Sequence, residues 1–536
     1  MLDARSPYRF HFAQNASLVA LSLLLLPFST LLLFASVVAR PFLSNEDAAR
    51  KRIRRSASGG NSSFRPKTII VTGVGMTKGL FLARAFYKAG HNVIGADFEP
   101  NGIPVCGRFS KAVRTFYSLP KPNEKSGAAY YIDALLHIVR KEKVDLWVSC
   151  SGVASAVEDG QAKEVLERRS DVRCIQFDVL TTQMLHEKDT FIAQTQRIGL
   201  PTPETHNVTS RAAVHRVLHE SPKTKKQYIM KSVGMDDASR GDMTVLPKRT
   251  VSETYNHVSA IPISGKKPWV LQQFIKGREY CTHALIVNNE VKAFVACPSS
   301  ELLMHYEALP SDSALSCAML RFTEEFVQRS GSNMTGHLSF DVLVEEVVSE
   351  KGAQLALLPI ECNPRAHTAV VLFQGQEKAM SEAYLTALTP QINGTSERPL
   401  TNGSPDAQPD TYAPVTPTKI RPNINGYTRS RPESSAPVTP ANPARYYWLG
   451  HDLVTLLLLP LLSLLSGHIT ISAYLHGCRT FLEHVLLWRD GTFELWDPLP
   501  AWWLYHGYWP GQFLAALVER RKWSRVNVST CKIFGC

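Results

Sequence analysis

The run LLPIECNPRAHTAV, residues 357–370, ends a strand-like apolar stretch in a carboxylate, an amide and a guanidinium: Glu361, Asn363 and Arg365. Upstream, GHLSFDVLVEE carries Asp341 on a second strand-like segment. The hairpin between them has the length that sets Asp341 beside Glu361 on adjacent antiparallel strands. Glu361 and Asn363 alternate by two and so share one face of a strand. Two carboxylates and an amide at one point repel unless a hard cation lies between them. Magnesium accepts such oxygen ligands and leaves positions for phosphate oxygens. A guanidinium at Arg365 suits a carboxylate or phosphoryl oxygen. A buried salt-bridge cluster of the same residues is the alternative.

Other polar residues stand out against apolar surroundings. YIMKSV places Lys231 in an apolar strand, where a lysine must snorkel or meet an anion. Ser239, Gly241 and Asp242 follow in a small, polar stretch whose backbone N–H groups can close over a phosphate; a plain hairpin loop is the other reading. HEKDTF sets Lys188 at the start of a helix. WVLQQFIKGREYCTHALI reads as two strands joined at Gly277, with the amides of Gln272 and Gln273 at a hinge and the Glu279 carboxylate beyond it. VTGVGMTKG, with Gly73, Gly75 and Gly79, follows a strand and opens a helix, and Asp97 ends the next strand. That is close to a dinucleotide fingerprint, with the third glycine one position late for G-x-G-x-x-G.

These residues need a framework. From Lys67 to about Thr389, β-branched apolar runs (TIIVTGVG, NVIGADF, VDLWVSC) alternate with amphipathic stretches, the pattern of a parallel sheet with crossover helices. Residues 390–445 are rich in Pro, Ser, Thr and Asn and read as a flexible linker. Ala16–Ala39 is apolar, uncharged and long enough to span a bilayer; Arg40-Pro41 follows rather than a small-residue cleavage site, which favours an uncleaved anchor over a signal peptide. The basic cluster Arg50, Lys51, Arg52, Arg54 and Arg55 follows it and predicts a cytosolic side for what comes next. A second apolar run, 453–475, and an aromatic stretch, DPLPAWWLYHGYWPGQFLAAL, predict a membrane-associated C-terminal region over 446–536, either as a return hairpin or as a tail lying in the interface.

The net charge of +12 is not gathered into a basic and aromatic stripe, which speaks against nucleic acid. The ten cysteines show no C-x-x-C and no paired Cys/His spacing, which speaks against zinc. Cys150, Cys174 and Cys362 lie in apolar runs and read as reduced core residues. No G-x-S-x-G elbow or Cys/His pair offers a nucleophile.

Taken in order, a lysine, a second lysine with a polar loop, a hinge followed by G-x-E, and D…E-x-N-P-R, the region 67–389 resembles an ATP-grasp ligase. The resemblance implies an α/β fold: a Rossmann-like domain at 67–175 and ATP-grasp domains at 176–389, flanked here by the membrane-associated segments 1–66 and 446–536. It implies that Lys188 and Lys231 hold ATP phosphates, with Ser239 and Gly241 in the phosphate loop. Gln272, Gln273, Phe274 and Ile275 would line the adenine pocket and Glu279 would bind the ribose. Asp341, Glu361 and Asn363 would hold Mg2+ or Mn2+. Arg365 would steady an acyl phosphate, with Lys231 also catalytic, and Gly73, Gly75, Arg365 and His367 would lie on the substrate side. The implied partners are a small-molecule carboxylate or enol and an amino acid; oligomeric state stays open. The ECNPRAHT ending and the aromatic tail are further similar to ATP-grasp enzymes of fungal secondary-metabolite clusters, such as mycosporine-glycine synthases and the fumisoquin-pathway enzyme. Two features depart from the family pattern: Gln-Gln at the hinge, where many members have a glutamate, and a glycine-poor phosphate loop. Two other functions remain: a membrane scaffold that binds nucleotide without ligation, and an NAD(P)-dependent oxidoreductase using Gly73, Gly75 and Asp97.

Overall fold

The computed structural model describes residues 2–58, 64–123, 125–150, 152, 155–224, 226–232, 242–299, 304–331, 333–349, 352–389, 436–441 and 445–536. Most of the expected linker, and both Ser239 and Gly241, lie outside the described residues. Helix α1 (Tyr8–Leu43) is the one helix among them long and apolar enough to cross a membrane, with a mean hydropathy of 2.4 over its best window. The basic cluster lies on α2 (Glu46–Ser58).

A parallel sheet follows: β1 (Thr68–Thr72), β2 (Asn92–Asp97), β3 (Thr115–Ser118), β4 (Leu146–Val148) and β5 (Arg173–Ile175), in the order β3-β2-β1-β4-β5. Alternation of side chains feeds both of its faces. Ile69, Val71, Val93, Leu146 and Val148 face α3 (Thr77–Lys88) through Leu82, Ala83 and Phe86. Ile70, Ile94, Ala96 and Trp147 face α4 (Ala129–Glu142) and α5 (Ala156–Arg169) through Tyr131, Leu135, Val139 and Leu166. Because the strand order reverses beside β1, the loops after β1 and β4 flank a crevice at the strands' carboxyl ends.

Helices α6 (Val179–His186) and α7 (Lys188–Arg197) lead into a second sheet of β6 (Thr205–Val208), β7 (Tyr228–Ser232) and β8 (Trp269–Gln273), antiparallel in the order β6-β8-β7. It is backed by α8 (Arg211–Thr224) and α9 (Val251–Ala260), whose Val214, Leu218 and Val258 meet Tyr228, Met230 and Leu271. The third sheet is antiparallel: β9 (Arg278–Val287), β10 (Glu290–Pro298), β12 (Gly336–Ser349) and β13 (Gly352–Asn363), in the order β10-β9-β12-β13, with a short β11 (Tyr306–Glu307) outside it. One face packs on α7 and α10 (Ala314–Arg329) through Phe191, Phe326 and Phe340, whose ring centroids are 5.1–5.9 Å apart. The other face shares a core with the parallel sheet and with α11 (Glu377–Leu385), through Cys281, Leu285, Val295 and Tyr384.

The C-terminal region mixes short strands with helices. β14 (Arg445–Tyr447) pairs with β11 and with β15 (Arg489–Asp490). Between these strands, α12 (Leu449–Asp452), a π-helical stretch at Leu453–Leu458, α13 (Leu459–Leu465) and α14 (Ile471–Leu487) form no helix of spanning length. Part of the aromatic stretch supplies core. Leu504 and Tyr508 follow α15 (Leu499–Trp503), Trp509 and Phe513 lie on α16 (Trp509–Val518), and with Trp523 they are buried against the parallel-sheet domain. Arg84 of α3 fixes this packing: its Nε and Nη2 donate to the Asp497 carboxylate and carbonyl, each at 2.9 Å, and its Nη1 to the Thr492 carbonyl at 2.8 Å. An apolar face nevertheless stays exposed, with Leu459, Leu462, Leu465, Ile471, Leu475, Leu482 and Leu486 on α13 and α14.

Candidate functional site

Pairing of β12 with β13 puts Asp341 directly opposite Glu361 and Ser339 opposite Asn363. A register shift between Asp341 and Val342 lies beside that pair, as bulges often do where a strand re-aims a side chain. On the other side of β12, β9 sets Cys281 opposite Asp341 and Glu279 opposite Leu343. Asn363 Nδ2 donates to Asp341 Oδ2 at 3.1 Å, and Arg365 Nη2 donates to Asn363 Oδ1 at 2.9 Å. Glu361 faces a cation from another element, the Nζ of Lys188 at the start of α7, 3.3 Å from its Oε2. The crowding of negative charge is legible in protonation. Desolvation, then Glu361 and Glu279, push Asp341 up to about 8, against the pull of Arg365 and Lys188.

Lys231 comes to the same place from β7. Its Nζ donates to Gln272 Oε1 at 2.7 Å, and Gln272 Nε2 donates onward to Thr205 Oγ1 at 3.2 Å. Desolvation, and the like charge of Lys188, bring Lys231 down to about 8, while Glu361, Glu279 and Asp341 oppose the shift. Two cations from α7 and β7 thus face three carboxylates from β9, β12 and β13.

The hinge residues Gln272–Ile275 connect the two antiparallel sheets. Gln272 and Ile275 are buried. Gln273 accepts the Glu204 N–H through its Oε1 at 3.3 Å, and the Phe274 N–H donates to the Gln227 carbonyl at 2.7 Å. Glu279 is exposed, with Ser299 Oγ donating to it at 2.9 Å.

The glycine loop lies close to this site but is covered. Gly73 has φ +74°, and a Cβ there would meet the Cys150 carbonyl at 2.7 Å. A Cβ on Gly79 would meet the Gly73 carbonyl at 2.2 Å, so the third glycine serves the approach of helix to loop. Asp97 accepts the Gly75 and Phe98 N–H groups, each at 2.7 Å, and so ties the loop down instead of standing clear for a ribose. The Thr77 N–H at the start of α3 donates to the Ser529 carbonyl at 2.9 Å, and Cys531 Sγ contacts the Gly75 carbonyl at 3.2 Å. The C-terminal segment thus takes the place where a pyrophosphate would lie, which weighs against dinucleotide binding and leaves Gly73 and Gly75 buried. His367 is a structural cap: it is buried, its Nδ1 accepts the Ala369 N–H at 3.2 Å, and the helical turn Thr368–Phe373 begins behind it.

Two residues escaped the sequence reading. Lys78, inside the glycine motif, is buried, and its Nζ donates to the Ala366 carbonyl at 2.9 Å. Burial, then the Arg365 charge, lower it to about 7, which ties the crevice of the parallel sheet to the Arg365 segment. Its signal was a lysine directly before the third glycine, which reads as an ordinary helix start. Glu204 gathers Lys226, His206 and Tyr228; despite its burial these hydrogen bonds hold it down at about 2. Nothing in its local sequence marks it.

No family model and no curated protein matches the sequence. Solved structures with a similar partial chain path include an L-amino acid ligase from Bacillus licheniformis, 16% identical, covering 56% of this chain and 68% of its own, with a TM-score of 0.39. An N5-carboxyaminoimidazole synthetase from Staphylococcus aureus, complexed with ADP, is 12% identical over 56% of this chain and 71% of its own, with a TM-score of 0.40. Biotin carboxylase from Campylobacter jejuni is 14% identical over 60% of this chain and 71% of its own, with a TM-score of 0.44. At such low identity and TM-score the likeness is one of partial chain path, and the chemistry of the site stands on its own side chains.

Proposed function

We propose that this chain is an ATP-dependent ligase of the ATP-grasp kind, joining a small carboxylate, or an enol oxygen, to the amine of an amino acid. The observation that carries the proposal is the meeting of Lys188 with Glu361 at 3.3 Å, beside the Asp341–Glu361 pair and the Lys231 strand. This set neutralises a polyphosphate on one side and offers hard oxygens on the other. The parallel-sheet region at 67–175 would act as the Rossmann-like substrate domain, and 176–389 as the nucleotide-binding and catalytic part. The motif likeness to fungal secondary-metabolite ligases favours a specialised acid and an amino acid as substrates.

The donor set fits magnesium or manganese. Asp341 and Glu361 lie opposite each other, and the burial and neighbouring carboxylates that raise the proton affinity of Asp341 are what a dication would offset. Asn363 Oδ1 already accepts from Arg365 and has a second lone pair for such an ion. When bound there, the ion would neutralise charge on the β and γ phosphates of ATP.

Lys188 and Lys231 orient the phosphates. The γ-phosphoryl group passes to the substrate carboxylate oxygen; the bond to ADP breaks and an acyl phosphate forms. Arg365 stabilises charge on that group and on the tetrahedral intermediate. The amine then forms the C–N bond, phosphate leaves with the C–O electron pair, and the amine loses a proton to solvent. Positioning and charge neutralisation supply the catalysis, so no side-chain nucleophile is required. We further propose that α1 anchors the protein, with the catalytic region on the cytosolic side, as the basic residues of α2 favour.

The test is ADP release by the full chain in detergent, with magnesium, against a panel of amino acids and candidate acids. Amine-dependent release that falls roughly a hundredfold or more in both Glu361→Gln and Lys231→Met supports the ligase. ATP binding with no turnover on any amine would instead favour a nucleotide-binding scaffold.

A further inference from the structure

Three residues that the proposed ligation does not use come together at the seam between the catalytic region and the C-terminal helices. His305 precedes β11, Asp452 closes α12, and His484 lies on α14. Asp452 is fully buried, and each of its oxygens meets a different imidazole: Oδ1 lies 2.8 Å from His305 Nε2, and Oδ2 lies 2.6 Å from His484 Nδ1. One donor atom from each of the three lies within 4.8 Å of the other two.

A carboxylate taken wholly out of water needs positive charge beside it. A dication ligated by all three residues would supply that charge, drawing on donors from three separate segments of the chain. The surroundings suit an enclosed centre: the Trp488 ring lies 4.4 Å from His484 and 5.8 Å from His305, closing one side. His451 stands beside the group, with its ring 6.0 Å from that of His305.

We infer that His305, Asp452 and His484 form a binding site for a first-row transition dication, with zinc the ion their donors suit best. Two imidazole nitrogens and one carboxylate oxygen, with a further position for water, are a zinc-type set. Magnesium and calcium prefer all-oxygen sets, so this site is chemically distinct from the Asp341–Glu361 pair. Its role is a staple. His305 and Asp452 are separated by 147 residues, and the metal would fasten the connector before β11 to the helices that carry the C-terminal region.

The full chain, purified in detergent without chelator, is assayed for metal by plasma mass spectrometry. About one zinc per chain is expected, lost in an Asp452→Ala/His484→Ala double variant and unchanged in Glu361→Gln. Cobalt substitution of the wild type provides a second readout that does not depend on the folding of the double variant: intense visible bands of a low-coordinate nitrogen/oxygen site are expected. A wild type that holds no zinc, binds none when it is added at micromolar concentration and shows no cobalt bands would overturn the inference and leave a hydrogen-bonded His–Asp–His triad. Zinc content that follows Glu361 instead of Asp452 would overturn it too.

Discussion

Lys231 titrates near neutrality because it sits among desolvating neighbours beside a second lysine, Lys188. Its lowered value of about 8 sets a sign for nucleotide binding. As pH rises through that value the nucleotide-free protein loses the charge that a phosphate requires. ATP affinity, measured without divalent metal by fluorescent-nucleotide titration, should therefore weaken above about pH 8, by up to about tenfold per pH unit from Lys231, and Asp341, raised to the same range, adds to the slope as it ionises. Lys231→Arg, which stays charged, should flatten that profile; an unchanged slope would mean that Lys231 does not meet the phosphates. At this scale the sequence was most informative for Asp341, Glu361, Asn363 and Arg365, because two-residue alternation and hairpin length carry over directly into the β12–β13 register. Glu204 was invisible, because its partners arrive from β6, β7 and the loop before β7.

Among the elements, the loop between β1 and α3 has the tightest backbone approach. Gly79 stands where any side chain would strike the Gly73 carbonyl, 2.2 Å from an ideal Cβ. Gly79→Ala should cost about 3 kcal/mol, read by chemical denaturation, because neither backbone segment can give way without moving the helix off the sheet. A loss under about 0.5 kcal/mol would show that the loop can relax. The glycine spacing announced a strand, a turn and a helix, and that is what forms. It did not announce what lies over the turn. Ser529 and Cys531, more than 450 residues downstream, cover it, and the chain's own carbonyl takes the helix N–H that a phosphate would need.

The whole molecule is closed by its C-terminal region. Arg84 and Asp497 are both buried and bonded to each other, so removing one partner strands a charge in the core. Asp497→Ala should destabilise by about 3–5 kcal/mol, and Arg84→Met added to it should recover part of the loss. Acid should loosen the fold as well. His91, His283 and His367 each accept a backbone N–H on Nδ1, and burial lowers His91 to about 4 and His283 to about 3, with His367 also well below its usual value. The unfolded chain takes up these protons near pH 6.5 and the folded chain does not, so the stability they confer is complete above about 6.5 and falls as pH drops towards 4. Each contributes a slope of about 1.4 kcal/mol per pH unit in that window. His91→Gln should remove one such slope, measured as the difference between wild-type and variant denaturation curves at each pH. Asp97, raised to about 7 by burial, acts in the opposite sense in both proteins and cancels.

By itself the sequence determined the alternation of strands and helices, the anchor-like helix and the gathering of polar residues at the end of β13, because each is set by local periodicity or by neighbours on one hairpin. The Trp- and Tyr-rich stretch was ambiguous, since aromatic residues suit a bilayer interface and a protein core alike, and the docking of α15 and α16 on the parallel-sheet domain buries part of it. The tertiary structure alone decided three things: the cover over the glycine loop, the burial of Lys78 beside the Arg365 segment, and the meeting of His305, Asp452 and His484. In each case the partners are far apart in the chain, and a contact across such a distance depends on packing that no short-range spacing encodes.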